Sequence, residues 1–254
     1  MLQPDAAQRD RSGIVPAEII DTYSNSGLWG ITVPRQWAEP RYPPPTLAQV
    51  IAIISAADPS LGQIPQNHYC LLEDIRLQGS EEQQAFFFDQ VLQGYRFANA
   101  LSETGGKTVL DIRTRLEASE RGLRITGRKG YCTGSLYAHW IGILALDAEN
   151  NAQLAFVPRE SSGLTVIDDW ACLGQRTNRQ RNGPGGESCR RAFPPVPDVE
   201  ILRDANPCRA VCPAHHRAID LGIARAALND TVNFVSQFAR PWIDADVERP
   251  AKTR

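Results

Sequence analysis

The sequence predicts an α+β fold in which a helical region is followed by a region of strands. In residues 1–96 the apolar positions recur mostly with a helical period, whereas in residues 97–177 they alternate with a period of two. A helical period returns after Arg217. At 254 residues the chain is long enough for the helical and strand regions to form consecutive domains.

The composition argues against several classes of protein. The formal net charge is -2 and hydrophobic residues make up 42% of the chain, close to the average for globular proteins. No nucleic-acid partner is expected, because such a chain lacks the basic footprint of nucleic-acid-binding proteins. No apolar run is as long as a membrane span, and MLQPDAAQRDRS lacks the apolar centre of a signal peptide. We therefore expect a cytoplasmic protein with no membrane partner.

Four helices are predicted in the first region. Pro16 is suited to the start of the first, AEIIDTYSNSG. Thr46 is expected to cap LAQVIAIISAA, whose apolar residues on nearly all sides indicate a buried helix. The third helix carries NHYCLLEDIRL and ends at Gly79. Ser80 and Gln83 form a capping-box pattern at the start of the fourth, EEQQAFFFDQVLQG.

Five runs in residues 97–177 are predicted to be strands, because apolar and polar residues alternate and turn residues separate the runs. These runs are TVLDIRTRLEA, LRITGRKGYCT, WIGILALDA, QLAFVP and LTVID. The stretch AENNAQ between the third and fourth runs is typical of a hairpin connection. Cys70, Cys132 and Cys172 lie singly in apolar or mixed contexts, which favours a role as small core residues.

The last predicted helix is AIDLGIARAALNDTVNFVSQF. Its apolar residues form one face, which comprises Leu221, Ala224, Leu228, Val232 and Val235. A helix with such a face requires a surface to pack on.

These elements and several motifs resemble the acyl-CoA dehydrogenase superfamily. The motifs are GLWGITVPRQW, ADPSLGQIPQNHY, RFANALSETGGKTVLDIRTRL, GRKGYCTGSLYAHW, IDDWACLGQRT, AIDLGIARAAL and FARPWIDA. They cover most of residues 27–177 and 218–247. The most similar branch is the flavin-dependent sulfur-acquisition oxidoreductases, which are related to dibenzothiophene and dimethyl-sulfone monooxygenases.

The resemblance implies an N-terminal helical domain over residues 1–96 and a middle β-barrel domain over residues 97–177. Residues 217–254 would begin a C-terminal four-helix domain that is largely missing from this sequence. Family members are homotetramers built largely through that bundle, so the shortened bundle weakens the expectation of a tetramer here.

One flavin-binding loop is implied by NALSETGG, which is similar to the family loop beside the pyrimidine edge of the flavin. It assigns cofactor binding to Ser102 and to the preceding Asn99, Ala100 and Leu101. The pyrimidine edge gathers negative charge on reduction, so hydroxyl and amide donors there stabilise the reduced ring. Thr108 falls where family dehydrogenases place a serine that contacts phosphate. Without the resemblance, each of these hydroxyls is typical of an ordinary turn or strand.

A second flavin-binding loop is implied by KGYCTG, which is similar to the family's W-I-T-N strand. Tyr131 would replace the tryptophan that flanks the flavin ring, and Thr133 would lie near the flavin N5. Gly134 takes the place of the family asparagine.

Asn67 and His68 are candidate catalytic residues, because QNHY lies on the third helix, which covers the active site in this family. A histidine within a helix is as readily a partly buried structural residue, so both interpretations stay open. The family's catalytic carboxylate and substrate-side histidine come from the C-terminal domain, and no residue here matches them.

The function implied by the resemblance is oxygenation of a small organosulfur compound by O2 and reduced FMN, supplied by a partner flavin reductase. Tyr131 and Gly134 favour this branch over the alternative, an acyl-CoA dehydrogenase that uses FAD. A second alternative is that the chain is a truncated product without activity.

Residues 178–214 resemble nothing in the family, although both flanks do. This interval includes Cys208 and Cys212, which with His215 and His216 suggest a zinc-binding module as a further alternative. Their spacing leaves little room for a tetrahedral site, so no metal is expected.

The genetic code offers another explanation of this interval. Read from the second base of the first codon, the triplets permitted for NRQRNG include those for T-G-S-G-T-V. Those permitted for DANPCRAVCPA include T-P-T-P-V-G-Q-F-A-Q. Both peptides resemble family segments at the same places and require the same offset. We therefore predict that residues 178–216 form an aberrant segment, translated out of frame over 178–214.

Overall fold

The computed structural model describes residues 5–14, 17–37, 44–108, 111–119, 122–177, 200–203 and 211–238. The helices are α1 (Ala6–Ser12), α2 (Ala17–Asn25), α3 (Pro44–Ala57), α4 (Pro59–Gln78), α5 (Glu81–Leu92) and α6 (Val211–Phe238), with a 3₁₀ turn at Leu28–Gly30. The strands are β1 (Phe97–Ala100), β2 (Arg115–Ser119), β3 (Gly122–Thr126), β4 (Trp140–Leu146), β5 (Ala152–Pro158) and β6 (Glu200–Arg203). Helices α1 to α5 precede the strands and α6 follows them, so the predicted α+β order is confirmed.

Helix α4 is the central helix of the fold, and its N-terminus is fixed by Asp58. The Asp58 carboxylate accepts hydrogen bonds from the backbone N–H groups of Ser60 at 3.0 Å and Leu61 at 3.2 Å, and Pro59 is the first helical residue. Arg9 on α1 donates to the same carboxylate at 2.8 Å, and both side chains are about 95% buried. The pair therefore attaches α1 to the start of α4.

The sequence did not predict α1, and α4 begins at Pro59, before the predicted stretch NHYCLLEDIRL. The prediction for α3 also differs from the structure. Helix α3 begins at Pro44, so Thr46 lies inside the helix and the prediction that it caps the helix was wrong. Helix α4 is followed by Gly79, as predicted. The capping box is also confirmed, since Gln83 N donates to Ser80 Oγ at 3.2 Å and Ser80 N donates to Gln83 Oε1 at 3.1 Å.

The strands form one six-stranded sheet with the order β3-β2-β4-β5-β6, and β1 pairs in parallel with β4. Strands β4 and β5 are antiparallel, and their connection contains a turn in which Asp147 Oδ1 accepts a hydrogen bond from Asn151 N at 2.8 Å. The predicted hairpin is therefore confirmed. The predicted barrel is not: in the described residues the sheet is open, because β3 and β6 lie at its two ends and do not pair with each other. The run LTVID forms no strand.

The main core lies between the sheet and helices α4 and α5. On this side Phe97 of β1 and Phe156 of β5 pack against Phe87 of α5, with ring centroids 5.6 and 4.8 Å from that of Phe87. Gly142 in the middle of β4 lets Leu71 of α4 approach the sheet, since a Cβ at this position would lie 2.8 Å from Leu71 Cδ2. The opposite side of the sheet has a second, smaller core of mostly aliphatic residues.

Helix α6 packs on α3 and α4 through its N-terminal half. Ala218 and Ile219 are buried there, and Gly222 permits close contact, because a Cβ would lie 2.3 Å from the carbonyl oxygen of Ala52. The apolar face predicted for this helix points elsewhere. Four of its residues are 45–63% exposed, namely Leu221, Leu228, Val232 and Val235. The helix has the predicted apolar face, but the described residues do not cover this face.

The interval predicted to be aberrant contains regular structure where the model describes it. Residues 200–203 form β6, which pairs with β5, and residues 211–216 form the first turns of α6. The sequence predicted neither element. Residues 178–199 and 204–210 lie outside the described residues, so the out-of-frame hypothesis and the domain boundary at 216 stay predictions.

Cys70 combines an expected and an unexpected property. Its side chain is buried in α4, as predicted, with 1% of its surface exposed. It is also disulfide-bonded, which the cysteine distribution did not indicate.

Candidate functional site

Two loops meet beyond the end of β1, and they contain most of the residues predicted to bind a cofactor. The backbone N–H of Gly130 donates to the carbonyl of Ser102 at 2.9 Å. The ammonium group of Lys129 donates to the carbonyl of Leu101 at 3.1 Å. These two bonds place Leu101 and Ser102 directly beside the loop that contains Tyr131, so the two motifs lie side by side.

Ser102 presents unused hydrogen-bond donors. It is exposed, and within the described residues neither its N–H nor its hydroxyl makes a hydrogen bond. In a trans peptide the C=O and the following N–H point in opposite directions. Because the Leu101 carbonyl points toward Lys129, the Ser102 N–H is directed away from Lys129, where it is available to a ligand.

Asn99 and Ala100 lie one step earlier, inside β1. They pair with Gly142 and Ile143 of β4 and are buried. Since side chains alternate along a strand, Asn99 shares the helix-facing side with Phe97, and Ala100 faces the second core. Asn99 Oδ1 is buried and has no hydrogen-bond partner among the described residues. These two residues therefore position the loop rather than present side chains on it.

The second loop has a strained backbone. Tyr131 has a φ of 55°, which is unfavourable for a bulky residue, and Gly134 has a φ of 77°. The Tyr131 side chain is 44% exposed, whereas Thr133 is almost fully buried and donates its N–H to the Tyr131 carbonyl at 2.9 Å. Gly134 packs against α4, since a Cβ there would lie 3.4 Å from Ile64 Cγ2. Strain of this kind is concentrated at functional sites.

An exposed aromatic ring beside free donors suits a planar ligand with acceptor atoms. The Tyr131 ring offers a face for stacking, and the Ser102 N–H and hydroxyl offer two donors to a carbonyl or ring nitrogen. A flavin has both features, so the residues present fit this cofactor.

Glu103 holds the two loops together from the buried side. Its carboxylate accepts hydrogen bonds from Lys129 Nζ at 2.8 Å, Thr114 Oγ1 at 2.7 Å, Thr114 N at 2.9 Å and Arg113 N at 2.9 Å. Gly127 leaves the space for this, since a Cβ there would lie 2.3 Å from Thr114 Oγ1. The Glu103 and Lys129 side chains are each about 6% exposed.

Hydrogen bonding keeps Glu103 charged in this buried position. Burial alone would raise the pKa of Glu103, but the bonds from Lys129 and Thr114 outweigh it and lower the pKa to about 2. Burial lowers the pKa of Lys129, and the Glu103 carboxylate opposes that change. Sequence analysis missed this pair. The only available signal was an acid directly after Ser102 and a lysine two residues before Tyr131.

His68 is built into the core. Its side chain is fully buried, Nε2 lies 3.0 Å from the carbonyl oxygen of Trp29, and Nδ1 accepts from Phe97 N at 3.1 Å. The carbonyl can only accept, so Nε2 carries the proton and neither ring nitrogen is available to a substrate. Burial lowers the pKa of His68 to about 3, although the bond to Trp29 opposes this. Of the two interpretations, the geometry therefore supports the structural one over the catalytic one.

The remaining predicted residues lie apart from this arrangement. Asn67 is half-buried on α4, and its side chain makes no hydrogen bond within the described residues. Thr108 lies in an exposed loop closed by Asp111, whose carboxylate accepts from Thr108 N at 3.2 Å.

The CRAVCPAHH motif is only partly described. His215 is buried and packs edge-on against Tyr69, with ring centroids 5.7 Å apart. Burial lowers the pKa of His215 to about 4, and a hydrogen bond to the Gln66 backbone opposes this. Cys208 and the side chain of Cys212 lie outside the described residues. The described residues contain no cluster of three potential metal ligands.

No helix in the described ranges is both long enough and apolar enough to span a membrane.

Residues 1–95 match the model of the acyl-CoA dehydrogenase N-terminal domain. The chain is 27% identical to a dibenzothiophene monooxygenase from Rhodococcus erythropolis, over 96% of this chain and 62% of that protein. It is 23% identical to a probable FMNH2-dependent monooxygenase, SfnC, from Pseudomonas putida, over 97% of this chain and 62% of that protein. The chain thus spans less than two thirds of the length of these relatives.

Solved structures show the same fold. FMN-bound TdsC from Paenibacillus sp. A11-2 superposes with a TM-score of 0.82 at 25% identity, over 98% of this chain and 66% of that chain. Butyryl-CoA dehydrogenase from Megasphaera elsdenii superposes with a TM-score of 0.75 at 18% identity, over 94% and 66% of the two chains.

Proposed function

We propose that this chain is a flavin-dependent monooxygenase. The premise is that residues 1–95 belong to the acyl-CoA dehydrogenase N-terminal domain family. The substrate would be a small organosulfur compound, the cofactor reduced FMN and the oxidant O2. The observation that supports this best is the contact between the Ser102 and Tyr131 loops, which sets free donors beside an exposed aromatic ring. The similarity to FMN-bound TdsC supports FMN as the flavin.

The residues of the chain would act by binding and orienting the flavin. The Ser102 N–H and hydroxyl would donate to the pyrimidine edge, where charge collects on reduction, and Tyr131 would lie against the ring. When bound, reduced FMN supplies the two electrons that O2 activation requires. The substrate sulfur gains one oxygen atom, and the other oxygen atom leaves as water.

The proposal includes a flavin reductase as partner, because each turnover consumes one reduced flavin. SfnC, to which the chain is similar, is described as FMNH2-dependent, which supports this partner. A cytoplasmic location belongs to the same proposal, and the homotetramer of the family is the assembly to be tested for this chain. Cell fractionation and light scattering, respectively, would test them.

The direct test is to titrate the purified chain with FMN and FAD and follow the quenching of flavin fluorescence. We expect FMN to bind more tightly than FAD. Ser102→Ala should weaken FMN binding about tenfold or less, since the hydrogen bond of the hydroxyl is lost while the backbone N–H remains. Ser162→Ala is the matched control, because Ser162 is an exposed serine in the turn after β5.

Activity would then be measured with photoreduced FMN, 18O2 and dibenzothiophene or methanesulfinate. Incorporation of one labelled oxygen into the product is the expected result. Preference for FAD together with oxidation of a butyryl thioester would instead favour the acyl-CoA dehydrogenase alternative. A chain that binds no flavin would overturn the proposed function.

A further inference from the structure

Two ion pairs in the described part of the chain have both side chains buried, and they differ in what they connect. The pair between Arg9 and Asp58 joins two helices of the N-terminal region. Lys129 instead shares its ammonium group between the Glu103 carboxylate at 2.8 Å and the backbone carbonyl of Leu101 at 3.1 Å. This carbonyl belongs to the Leu101–Ser102 peptide group, which also contains the Ser102 N–H.

This contact fixes the orientation of one peptide plane. If Lys129 did not hold the Leu101 carbonyl, the Leu101–Ser102 peptide would be free to rotate, and the Ser102 N–H would rotate with it. Glu103 is anchored to the backbone N–H groups of Arg113 and Thr114 and therefore fixes the position of the Lys129 ammonium group. The Gly130–Ser102 backbone bond then aligns the second loop with the first.

We infer that Lys129, held in place by Glu103, is a positioning residue that aims the Ser102 N–H at the bound flavin. This inference rests on the proposed function, because it assigns Ser102 to flavin binding. Lys129 and Glu103 themselves would not contact the flavin. Their contribution to affinity comes from orienting the donor before the flavin arrives, which reduces the ordering that binding requires.

Three variants distinguish this role from that of a merely stabilising ion pair: Lys129→Met, Glu103→Gln and the double variant. A stabilising pair predicts that each single variant is impaired, because it removes the buried partner of a buried charge and leaves Glu103 only the exposed Arg113 at 3.5 Å. It also predicts that the double variant recovers. A positioning role predicts a different ranking of the three variants by FMN affinity. Lys129→Met and the double variant should both bind FMN about tenfold more weakly, since both lose the contact with Leu101. Glu103→Gln keeps that contact and should lose less than about threefold.

The readouts are the Kd for FMN, the melting temperature and amide hydrogen exchange without flavin. The Gly130 amide reports directly on the contact between the loops, and we expect it to exchange faster in Lys129→Met and in the double variant than in the wild type. Arg124→Met is the control, because Arg124 pairs with Glu117 on the same sheet but both side chains are about half exposed.

Recovery of wild-type FMN affinity in the double variant would overturn the inference, as would equal losses in the two single variants. If Lys129→Met does not fold, the double variant, which buries no charge at these positions, still decides the question. Failure of the proposed function gives a different result. In that case the wild type would bind no flavin, whereas the exchange rate of the Gly130 amide would still test whether Lys129 aligns the two loops.

Discussion

His68 Nδ1 accepts a hydrogen bond from the backbone N–H of Phe97 at 3.1 Å, and this bond ties helix α4 to the first residue of strand β1. The opposite ring nitrogen binds the Trp29 carbonyl in the 3₁₀ turn after α2. One neutral imidazole thus connects three segments that are distant in sequence. Strand β1 leads directly into the loop with Ser102, so His68 influences the candidate site through the backbone.

His68→Ala is expected to lower the free energy of unfolding by about 3 kcal/mol. The change leaves a buried carbonyl and a buried N–H unpaired and creates a cavity. Urea denaturation followed by circular dichroism would measure the loss. Asn67→Ala is the control and should change the unfolding free energy by only about 0.5 kcal/mol, because Asn67 is half-buried and its side chain makes no hydrogen bond among the described residues. Unchanged stability with lost activity in His68→Ala would restore the catalytic interpretation.

Gly142→Ala is expected to destabilise the fold by about 1–3 kcal/mol. The new Cβ would lie 2.8 Å from Leu71 Cδ2 and 3.3 Å from Cδ1, and Leu71 is too deeply buried to move easily. Thermal and urea unfolding would measure the change. In the double variant Gly142→Ala/Leu71→Ala the clash is absent, so the cost should be less than the sum of the two single costs. Strict additivity would show that the contact is unimportant.

The pair formed by Glu103 and Lys129 should give a pH-dependent contribution to stability. The folded-state pKa of Glu103 is about 2, below its ordinary value of 4.5. A lowered pKa means that the contribution is fully present above about pH 4.5 and is lost as the pH falls from there toward 2. The measurement is the difference in unfolding free energy between wild type and Glu103→Gln at several pH values.

That difference should be constant between about pH 7 and 5 and should shrink below about pH 4.5. Glu117→Gln provides the comparison, since the Glu117 carboxylate pairs with Arg124 in an exposed position and contributes little at any pH. A Glu103→Gln difference that does not change with pH would contradict the assigned ionisation.

Tyr131→Gly should leave stability unchanged or raise it by up to about 1 kcal/mol, because glycine tolerates a positive φ that strains tyrosine. FMN affinity should nevertheless fall at least about tenfold, since the aromatic face is lost. Asn150→Gly is the matched control: Asn150 has a φ of 65° in the β4–β5 turn, and its replacement should not affect FMN binding. A destabilised Tyr131→Gly protein with normal FMN affinity would mean that Tyr131 is structural.

The sequence by itself determined that a helical region precedes the strands and that a helix follows them, because periodicity and capping residues are local properties. The Ser80 capping box and the β4–β5 hairpin are examples, since the interacting residues are only a few positions apart. The pairing of the Ser102 and Tyr131 loops also followed from the sequence, but only through the family resemblance.

Only the tertiary structure decided which side chains are available for binding. Periodicity placed His68 on a helix but could not show that Trp29 and Phe97, 39 and 29 residues away, occupy both ring nitrogens. The Glu103–Lys129 contact spans 26 residues and has no local pattern. The open sheet and the exposed face of α6 likewise depend on which surfaces meet in space. Burial and long-range hydrogen bonds are set by packing, and a local sequence pattern does not encode them.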